Sequence, residues 1–419
     1  MYTKTKIKKR KTPQKRNVLW TIFLINPYKK EESKGMNLFK SMISHEDQLI
    51  RQQVITFAQN EIAPYAHQWE EDEWFPKELH KKAGELGILG LGFDEQYGGT
   101  GTGCFKMIMG IEGLMHGFST GVAVGLTSFG IAIPPIIASG NHTLIERYVR
   151  PSIQGILIGA LAVTEPGAGS DVAGIKTKAE KCEGGYRVSG SKLYITSGIR
   201  ADYYVVLART SPDPHGGLTL FVIDRHSPSQ NGIEVSAPLK KTGWRASDTA
   251  ELFFDDVFVP DTHRIGPEGA GFLLTMKNFQ NERLALATYG AITAQLCYEE
   301  AKKYTQQRHA FGKPLMGFQN TRHTLADMAT QVCAARTLVY QVAQAIDRGD
   351  NVLAEVAMAK NLCAEIAQKV SYQAVQLFGG MGYMRETKVE RLSRDARLLP
   401  IGGGTQEIMK ELIAKTLKF

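Results

Sequence analysis

The amino-acid sequence predicts an α+β protein of several domains: an N-terminal α-helical domain, a middle β-barrel or β-sandwich domain, and a C-terminal four-helix bundle. Three observations lead to this fold class. Apolar residues recur at helical spacing in the first third of the chain, short alternating segments separated by turn residues follow, and long helical patterns fill the remainder. A chain of 419 residues is long enough for two or three domains. We expect these domains at residues 36–158, 159–270 and 271–419, after a basic extension at residues 1–35.

The first residues hold the excess positive charge of the chain. Residues 1–34 contain 11 Lys or Arg and two Glu, whereas the whole chain has a formal net charge of +8. The rest of the chain is therefore close to neutral, so the high pI is no argument for nucleic acid as a partner, and we expect none. We expect residues 1–35 to be disordered, with Met36 or Met42 as the natural start, because their composition cannot bury enough apolar surface to order them.

The same extension is a poor match to a targeting or membrane segment. Its apolar run at residues 18–25 is too short to cross a bilayer, and no small-residue cleavage site of a secretory signal follows it. Lys outnumbers Arg and Ser is scarce, unlike a mitochondrial presequence. We therefore expect no transmembrane helix and a cytoplasmic protein of bacterial type, with the mitochondrial matrix as the weaker alternative.

The N-terminal helical domain is predicted from two apolar patterns. Leu49, Val54, Phe57 and Ile62 form one stripe at helical spacing. Residues 107–137 form a long apolar stretch rich in Gly and Ala, which we interpret as a helix packed closely against its neighbours.

The middle and C-terminal domains are predicted from a change of period. Between residues 159 and 259 short β segments dominate, and turn residues separate them, as in a small barrel or sandwich. These segments are residues 203–208, 218–223, 233–235 and 251–254. From residue 271 the pattern is that of long helices, broken near residues 311–314, 348–350 and 379–380, which is typical of a four-helix bundle.

The cysteines do not indicate a metal site. Five cysteines occur, without a CxxC spacing and without a neighbouring cluster of histidines. The sequence therefore predicts free, buried thiols of a reducing compartment and no bound metal.

A glycine-rich segment at residues 161–172 (LAVTEPGAGSDV) is the leading candidate for a ligand-binding loop. Gly167 and Gly169 allow backbone N–H groups to approach a ligand closely, and Thr164 and Ser170 add hydroxyl groups. Such a loop suits a pyrophosphate or the polar edge of a flat cofactor, although an ordinary turn explains the residues equally well. A Rossmann loop is excluded, because strand-like segments follow it instead of a helix.

Glu282 is the candidate for acid–base chemistry. It lies on the same face of a predicted helix as Phe279 and Leu286. A carboxylate on an apolar face is either paired with a basic neighbour or held at a raised pKa, as a general base for a carbon acid requires. The pattern alone favours the ion pair.

Several segments in the same order resemble the acyl-CoA dehydrogenases, a family of flavoproteins. Residues 163–171 (VTEPGAGSD) and 192–198 (KLYITSG) resemble the flavin-binding signature of that family. Residues 307–313 (QRHAFGK), 376–380 (QLFGG) and 403–407 (GGTQE) add further matches. The resemblance runs from about Ile43 to Phe419. It implies the helical, β, helical domain order and FAD as cofactor.

The resemblance also assigns contacts residue by residue. It implies that the flavin ring touches Leu161, Val163, Thr164, Tyr194 and Thr196. It implies that the adenosine diphosphate half is held, from a neighbouring subunit, by Arg308, Phe311 and Gln319, together with Gln376, Phe378, Gly379 and Gly380, with Thr405 and Glu407 completing the site. Ser170 would serve the phosphate or the CoA moiety, and residues 119–130 would help to line the acyl pocket. A plain surface arginine remains the alternative for Arg308.

The catalytic base departs from the commonest pattern of the family. Most members carry it in a Tyr-Glu-Gly-Thr motif, whereas residues 401–405 read IGGGT and place Gly403 at the Glu position. The long-chain and isovaleryl branches also lack that Glu, and they carry the base in a Glu-Arg-Leu context that matches residues 282–284. The resemblance therefore implies Glu282 as the base, with Arg283, Gly403 and Ser170 at the substrate.

The reaction implied is the α,β-dehydrogenation of a saturated acyl-CoA, of medium or long chain, in fatty acid β-oxidation. Electrons would pass from FAD to an electron-transfer flavoprotein, and the enzyme would be a homotetramer. Three alternatives stay open: a branched-chain substrate such as isovaleryl-CoA, a flavin monooxygenase or oxidase on the same fold, and a flavin-binding scaffold without a working base.

Overall fold

The computed structural model describes residues 37–226 and 231–419. The expected disordered extension at residues 1–35 lies outside the described residues. The chain divides into two units, residues 1–41 and residues 42–419. All helices, strands and site residues discussed below belong to the second unit.

The N-terminal part of this unit is helical, as predicted. Its helices are α1 (His45–Phe57), α2 (Ala66–Asp72), α3 (Glu78–Glu85), α4 (Cys104–Met115), α5 (Thr120–Thr127), α6 (Phe129–Ala138), α7 (His142–Leu144) and α8 (Arg150–Ile153). A π-helical turn at Ala58–Ile62 follows α1, and another at Ile145–Val149 lies between α7 and α8. Val54, Phe57 and Ile62 are buried as the apolar stripe predicts, but Leu49 is exposed. The stripe is therefore one turn shorter than expected.

The predicted single helix at residues 107–137 is wrong, because the chain forms α4, α5 and α6 there. The chain turns at Phe118, whose φ of 57° lies in the left-handed region. Ser119 then caps the new helix, since its side chain accepts a hydrogen bond of 3.1 Å from the Val122 N–H. The Ser119 cap explains why a new helix begins here, although the apolar stretch continues without interruption.

The stretch Thr120–Ala138 is long and apolar enough to cross a membrane, with a mean hydropathy of 1.8 over the relevant window. However, 67% of that window is buried inside the protein. Burial of this kind is what a core helix requires, and α5 and α6 form a wall of the central cavity described below.

The middle part forms one mixed sheet of eight strands. The strands are β1 (Gly159–Ala162), β2 (Lys178–Cys182), β3 (Gly185–Thr196), β4 (Tyr203–Arg209), β5 (Leu218–Asp224), β6 (Ile233–Val235), β7 (Thr249–Pro260) and β8 (Arg264–Ile265). Their order is β6-β7-β3-β2-β4-β5-β8, and β1 pairs with β4 in parallel. Side chains from both halves of the sheet share one core, for example Tyr186, Tyr204 and Phe254. The four β segments predicted from the sequence are confirmed.

The C-terminal part is a bundle of helices. They are α9 (Gly271–Gln307), α10 (Gln319–Asp347), α11 (Leu353–Phe378), α12 (Lys388–Ala396) and α13 (Gln406–Leu417), with the short hairpin β9 (His309–Ala310) and β10 (Lys313–Pro314) after α9. The predicted breaks are confirmed. Three of these helices are long, and α9 and α11 approach closely at Gly290, where an added Cβ would lie 2.7 Å from the Cys363 carbonyl oxygen.

Candidate active site

A cavity of about 360 Å³ lies between α4, α5, α6 and α9. Most of its lining is apolar, and it includes Leu91, Met107, Ile111, Phe129, Leu286 and Tyr289. Val124, Thr127 and Gly130 bring the predicted segment 119–130 to its wall. Glu282 and Thr196 also line it, so the cavity joins the candidate base to one of the predicted flavin-contacting residues, at the end of β3. An apolar cavity with few polar groups suits an alkyl chain with one reactive end.

Glu282 sits in this apolar wall without a counter-ion. Among the described residues, its Oε2 atom is buried and has no hydrogen-bond partner. Burial raises the pKa of Glu282 to about 7, although Arg283 and Lys360 act in the opposite direction. The ion pair favoured by the sequence pattern is therefore wrong, since no salt bridge within 4.0 Å reaches Glu282 from the described residues. A carboxyl group with such a pKa can gain or lose a proton near neutral pH.

Gly403 faces the same point as Glu282 from another part of the chain. Its φ is 64°, and a Cβ added to it would lie 3.7 Å from Oε1 of Glu282 and 2.3 Å from Cδ1 of Leu286. The two positions at which a base is expected therefore converge. A side chain at residue 403 would therefore be strained by the left-handed backbone and would require the end of the Leu286 side chain to shift.

Two cations hold the loop that carries Gly403. Arg283 donates a hydrogen bond of 3.3 Å from Nε to the Gly403 carbonyl, and Lys360 donates one of 2.5 Å from Nζ to the Gly404 carbonyl. Thr405 caps α13, since its side chain accepts from the Ile408 N–H, and Glu407 is exposed in the first turn. Sequence reasoning missed Lys360, and no local signal marks it, because it follows an ordinary apolar helix pattern in α11.

The glycine-rich loop is anchored by a buried ion pair. Glu165 and Thr164 follow β1, and the Glu165 carboxylate lies 2.8 Å from Nζ of Lys192 in β3. Lys192 also donates to the Val163 carbonyl, and the Leu193 N–H donates to the Thr164 carbonyl. Sequence reasoning missed this pair, although both of its members lie inside the flavin-like motifs.

The space around this loop fits a flat cofactor. An added Cβ at Gly167 or Gly169 would meet nothing within 4 Å, so a ligand can approach the backbone there. Tyr194 is 67% exposed at a φ of 60°, whereas Thr196 reaches the cavity. The remaining predicted residues on this side are Leu161 and Thr164, which are half-buried, Val163, which is buried, and Ser170, which is exposed. Of the predicted ring-side residues, the structure thus places Thr196 in the cavity of Glu282, and the hydrogen bond from the Leu193 N–H to the Thr164 carbonyl ties the glycine-rich loop to the same strand, β3.

The predicted adenine-side residues form a second group, far from the first. Arg308 follows Glu282 by 26 residues at the end of the same helix, which corresponds to about 39 Å along the helix. Tyr304 stacks on Phe378 with ring centroids 4.1 Å apart, so the ends of α9 and α11 meet there. The exposed members of this group are Arg308, Phe311, Gln319, Gln376, Gly379 and Gly380. Within one chain, the Arg308 end of α9 is therefore far from Glu282.

The described residues contain no group of three or more His, Cys, Asp or Glu side chains placed to hold a metal ion. The five cysteines are free, and Cys104, Cys297 and Cys363 are buried.

Three family models match the chain in order. They are the N-terminal, middle and C-terminal domains of acyl-CoA dehydrogenase, at residues 44–156, 160–257 and 269–418. Together they cover most of the chain.

Relatives and solved structures agree with these matches. The chain is 36% identical over 381 residues to the mitochondrial long-chain specific acyl-CoA dehydrogenase of Rattus norvegicus, covering 90% of this chain and 88% of that protein. It is 36% identical over 382 residues to the mitochondrial isovaleryl-CoA dehydrogenase of Arabidopsis thaliana, covering 90% and 92%. The crystal structure of a putative acyl-CoA dehydrogenase from Mycobacterium smegmatis matches with a TM-score of 0.88 and 45% identity, covering 90% of this chain and 99% of that one.

Proposed function

The chain belongs to the acyl-CoA dehydrogenase family of FAD-dependent oxidoreductases, and we propose that it converts a saturated acyl-CoA of medium or long chain to the trans-2-enoyl-CoA. One observation carries the proposal. Glu282 has an unpaired Oε2 and a pKa of about 7, and it lines an apolar cavity of about 360 Å³. These properties are the ones that a carboxylate needs to remove a proton from carbon.

The chain's own part of the reaction is proton removal. Glu282 takes the α-proton of the thioester, and the electron pair of that C–H bond forms the Cα=Cβ double bond. FAD, when bound, accepts the hydrogen and the electron pair that leave the β-carbon. The thioester carbonyl has to be polarised for this step, and the Gly403 N–H has no backbone partner in the part of the chain that the structure describes. We assign it to the carbonyl oxygen, as in an oxyanion hole.

We assign the two halves of FAD to residues of two subunits. Leu161, Val163, Thr164, Tyr194 and Thr196 would hold the ring beside Glu282. The Arg308 group lies about 39 Å along α9 from Glu282, so it would serve the adenosine diphosphate half bound by a second copy. We propose that the protein assembles as a homotetramer. We also propose that its reduced FAD passes electrons to an electron-transfer flavoprotein.

A branched-chain acyl-CoA is the second candidate substrate, because an isovaleryl-CoA dehydrogenase is as similar to the chain as the long-chain enzyme. The test is anaerobic stopped-flow reduction of the bound flavin by straight acyl-CoAs from butyryl to stearoyl and by isovaleryl-CoA. Fastest bleaching by a medium or long straight chain supports the proposal, and fastest bleaching by isovaleryl-CoA supports the second candidate. Absence of bleaching by every thioester contradicts both. Rapid oxygen consumption by the reduced protein would instead indicate an oxidase.

A further inference from the structure

We propose that Lys360 is a positioning residue of this active site: its ammonium group fixes the loop of Gly403 and Gly404 against Glu282 and stabilises the Glu282 carboxylate. This inference rests on the proposed function for its catalytic meaning. The fixing of the loop itself is a property of the folded chain.

The contacts of Lys360 support a role in holding the loop. Its side chain is 1% exposed, and Nζ donates a hydrogen bond of 2.5 Å to the Gly404 carbonyl. The next residue of α11, Asn361, donates one of 3.1 Å from Nδ2 to the Gln406 carbonyl. Two consecutive side chains of α11 therefore hold two carbonyls of the segment that leads from Gly403 into α13.

Burial of a lysine side chain at this position is energetically unfavourable. Burying an ammonium group costs free energy unless it is paired, and no described carboxylate lies within 4.0 Å of Nζ of Lys360. A methionine would fill a similar volume at a lower cost. The groups that act on this charge are the Gly404 carbonyl, the carboxylates of Glu282 and Glu407, and the cation Arg283, which opposes it.

The loop needs to be held because its conformation is unusual. Gly403 and Gly404 have φ values of 64° and 97°, and among the described residues the Gly403 carbonyl accepts only the hydrogen bond of 3.3 Å from Arg283. If Lys360 is lost, the Gly404 carbonyl loses its donor and the loop can move away from Glu282. A displacement of about 1 Å between a base and a reacting atom is enough to slow a reaction about a hundredfold.

The charge of Lys360 also bears on the proton of Glu282. The charged groups that act on Glu282 are Arg283 from α9 and Lys360 from α11, and both oppose the rise in pKa that burial causes. The pKa of Lys360 is lowered to about 8, because burial and Arg283 lower it by more than Glu282 and Glu407 of α13 raise it. Lys360 is therefore mostly an ammonium ion at neutral pH. Its removal should raise the pKa of Glu282.

The experiment compares Lys360→Met and Lys360→Arg with Lys369→Met, which removes an exposed lysine of the same helix. Anaerobic flavin reduction by the best acyl-CoA is followed against pH. For Lys360→Met we expect the midpoint to move up by about one pH unit and the plateau rate to fall by at least about tenfold. Lys360→Arg should keep the wild-type midpoint, since the charge stays. Lys369→Met should match wild type in both.

A second measurement needs no turnover. The infrared band of the protonated Glu282 carboxyl, identified by its absence in Glu282→Gln, is titrated in each variant. The inference is overturned if Lys360→Met shows the same pH midpoint and the same flavin reduction rate as Lys369→Met. If Lys360→Met fails to fold by circular dichroism, Lys360→Gln, which keeps a donor without the charge, must raise the infrared midpoint or the inference is wrong. A shifted infrared midpoint in a protein that no acyl-CoA reduces would overturn the proposed function and leave the role of Lys360 intact.

Discussion

Glu282 illustrates how much the surroundings of one residue decide. Its place on an apolar helix face is visible in the sequence, but the same pattern favours an ion pair. The folded chain leaves Oε2 without a partner and raises the pKa of the carboxyl to about 7 by burial. Low polarity around an acid disfavours its charged form, so the residue is ready to exchange a proton at neutral pH.

Glu282→Gln should retain bound FAD and bind acyl-CoA, because the amide keeps the size of the side chain. It cannot accept the α-proton, so the rate of anaerobic flavin reduction should fall by about 10²–10⁴-fold. The matched control is Glu355→Gln, which changes a carboxylate in the first turn of α11. Near-normal reduction by Glu282→Gln would assign the base to another residue.

Gly403→Glu tests whether the two base positions are equivalent. Added to Glu282→Gln alone, it should restore little activity, because residue 403 has a φ of 64° and a Cβ there would lie 2.3 Å from Cδ1 of Leu286, which would have to shift. Added together with Leu286→Ala, it should recover at least about tenfold in the flavin reduction rate, since the new carboxylate reaches the same point. Equal rates with and without Leu286→Ala would contradict the steric argument.

At the scale of single elements, strand β3 and the loop after β1 depend on each other. The Glu165–Lys192 pair is buried on both sides, at 7% and 0% exposure of the side chains. Backbone N–H groups of Lys176 and Thr177 also donate to the Glu165 carboxylate. A buried ion pair adds little net stability but fixes one geometry of the loop. Removal of one partner is destabilising, because it leaves the other charge buried and unpaired.

Lys192→Met should therefore destabilise the protein by about 3 kcal/mol and reduce the FAD content of the purified protein. The free energy of unfolding is measured by denaturant titration of the apoprotein, and the FAD content by absorbance. Lys178→Met, at an exposed position of β2, serves as the control and should change neither quantity. A loss of stability with normal FAD content would mean that the pair supports the sheet but not the loop.

The order of helices and strands supports the three domains predicted from the sequence. The changes from helix to strand and back fall near residues 159 and 271, where β1 begins after α8 and where α9 begins after β8. We therefore propose domains at residues 36–158, 159–270 and 271–419.

At the scale of the whole molecule, the cofactor contacts proposed here are divided between the two ends of α9. Glu282 and Thr196 share the cavity nearer the start of the helix, and Arg308 lies at its far end. Phe311 is 94% exposed and Tyr383 is 84% exposed near this end, which are unusually large apolar surfaces for a single chain. Both features are explained if a second copy covers this end.

Co-expression of two inactive chains tests the shared site. Arg308→Ala should reduce FAD retention and oligomer mass together, whereas Arg348→Ala, an exposed arginine at the other end of α10, should change neither. A mixture of Arg308→Ala and Glu282→Gln chains can form one complete site from an intact base and an intact Arg308 on different chains. We expect flavin reduction well above that of either parent, measured on purified hetero-oligomers. No recovery in a proven hetero-oligomer would place both groups in one chain.

The sequence by itself determined the order of the domains, the positions of the main strands, the breaks between the bundle helices, the glycine-rich loop and the absence of a Glu at residue 403. These features are local, because periodicity, turn residues and caps act over a few neighbouring positions. The tertiary structure decided that Glu282 has no counter-ion, that Gly403 faces it, and that Lys192 and Lys360 hold the two loops. Burial and electrostatic environment are set by groups that are distant in the chain, so no local pattern contains them.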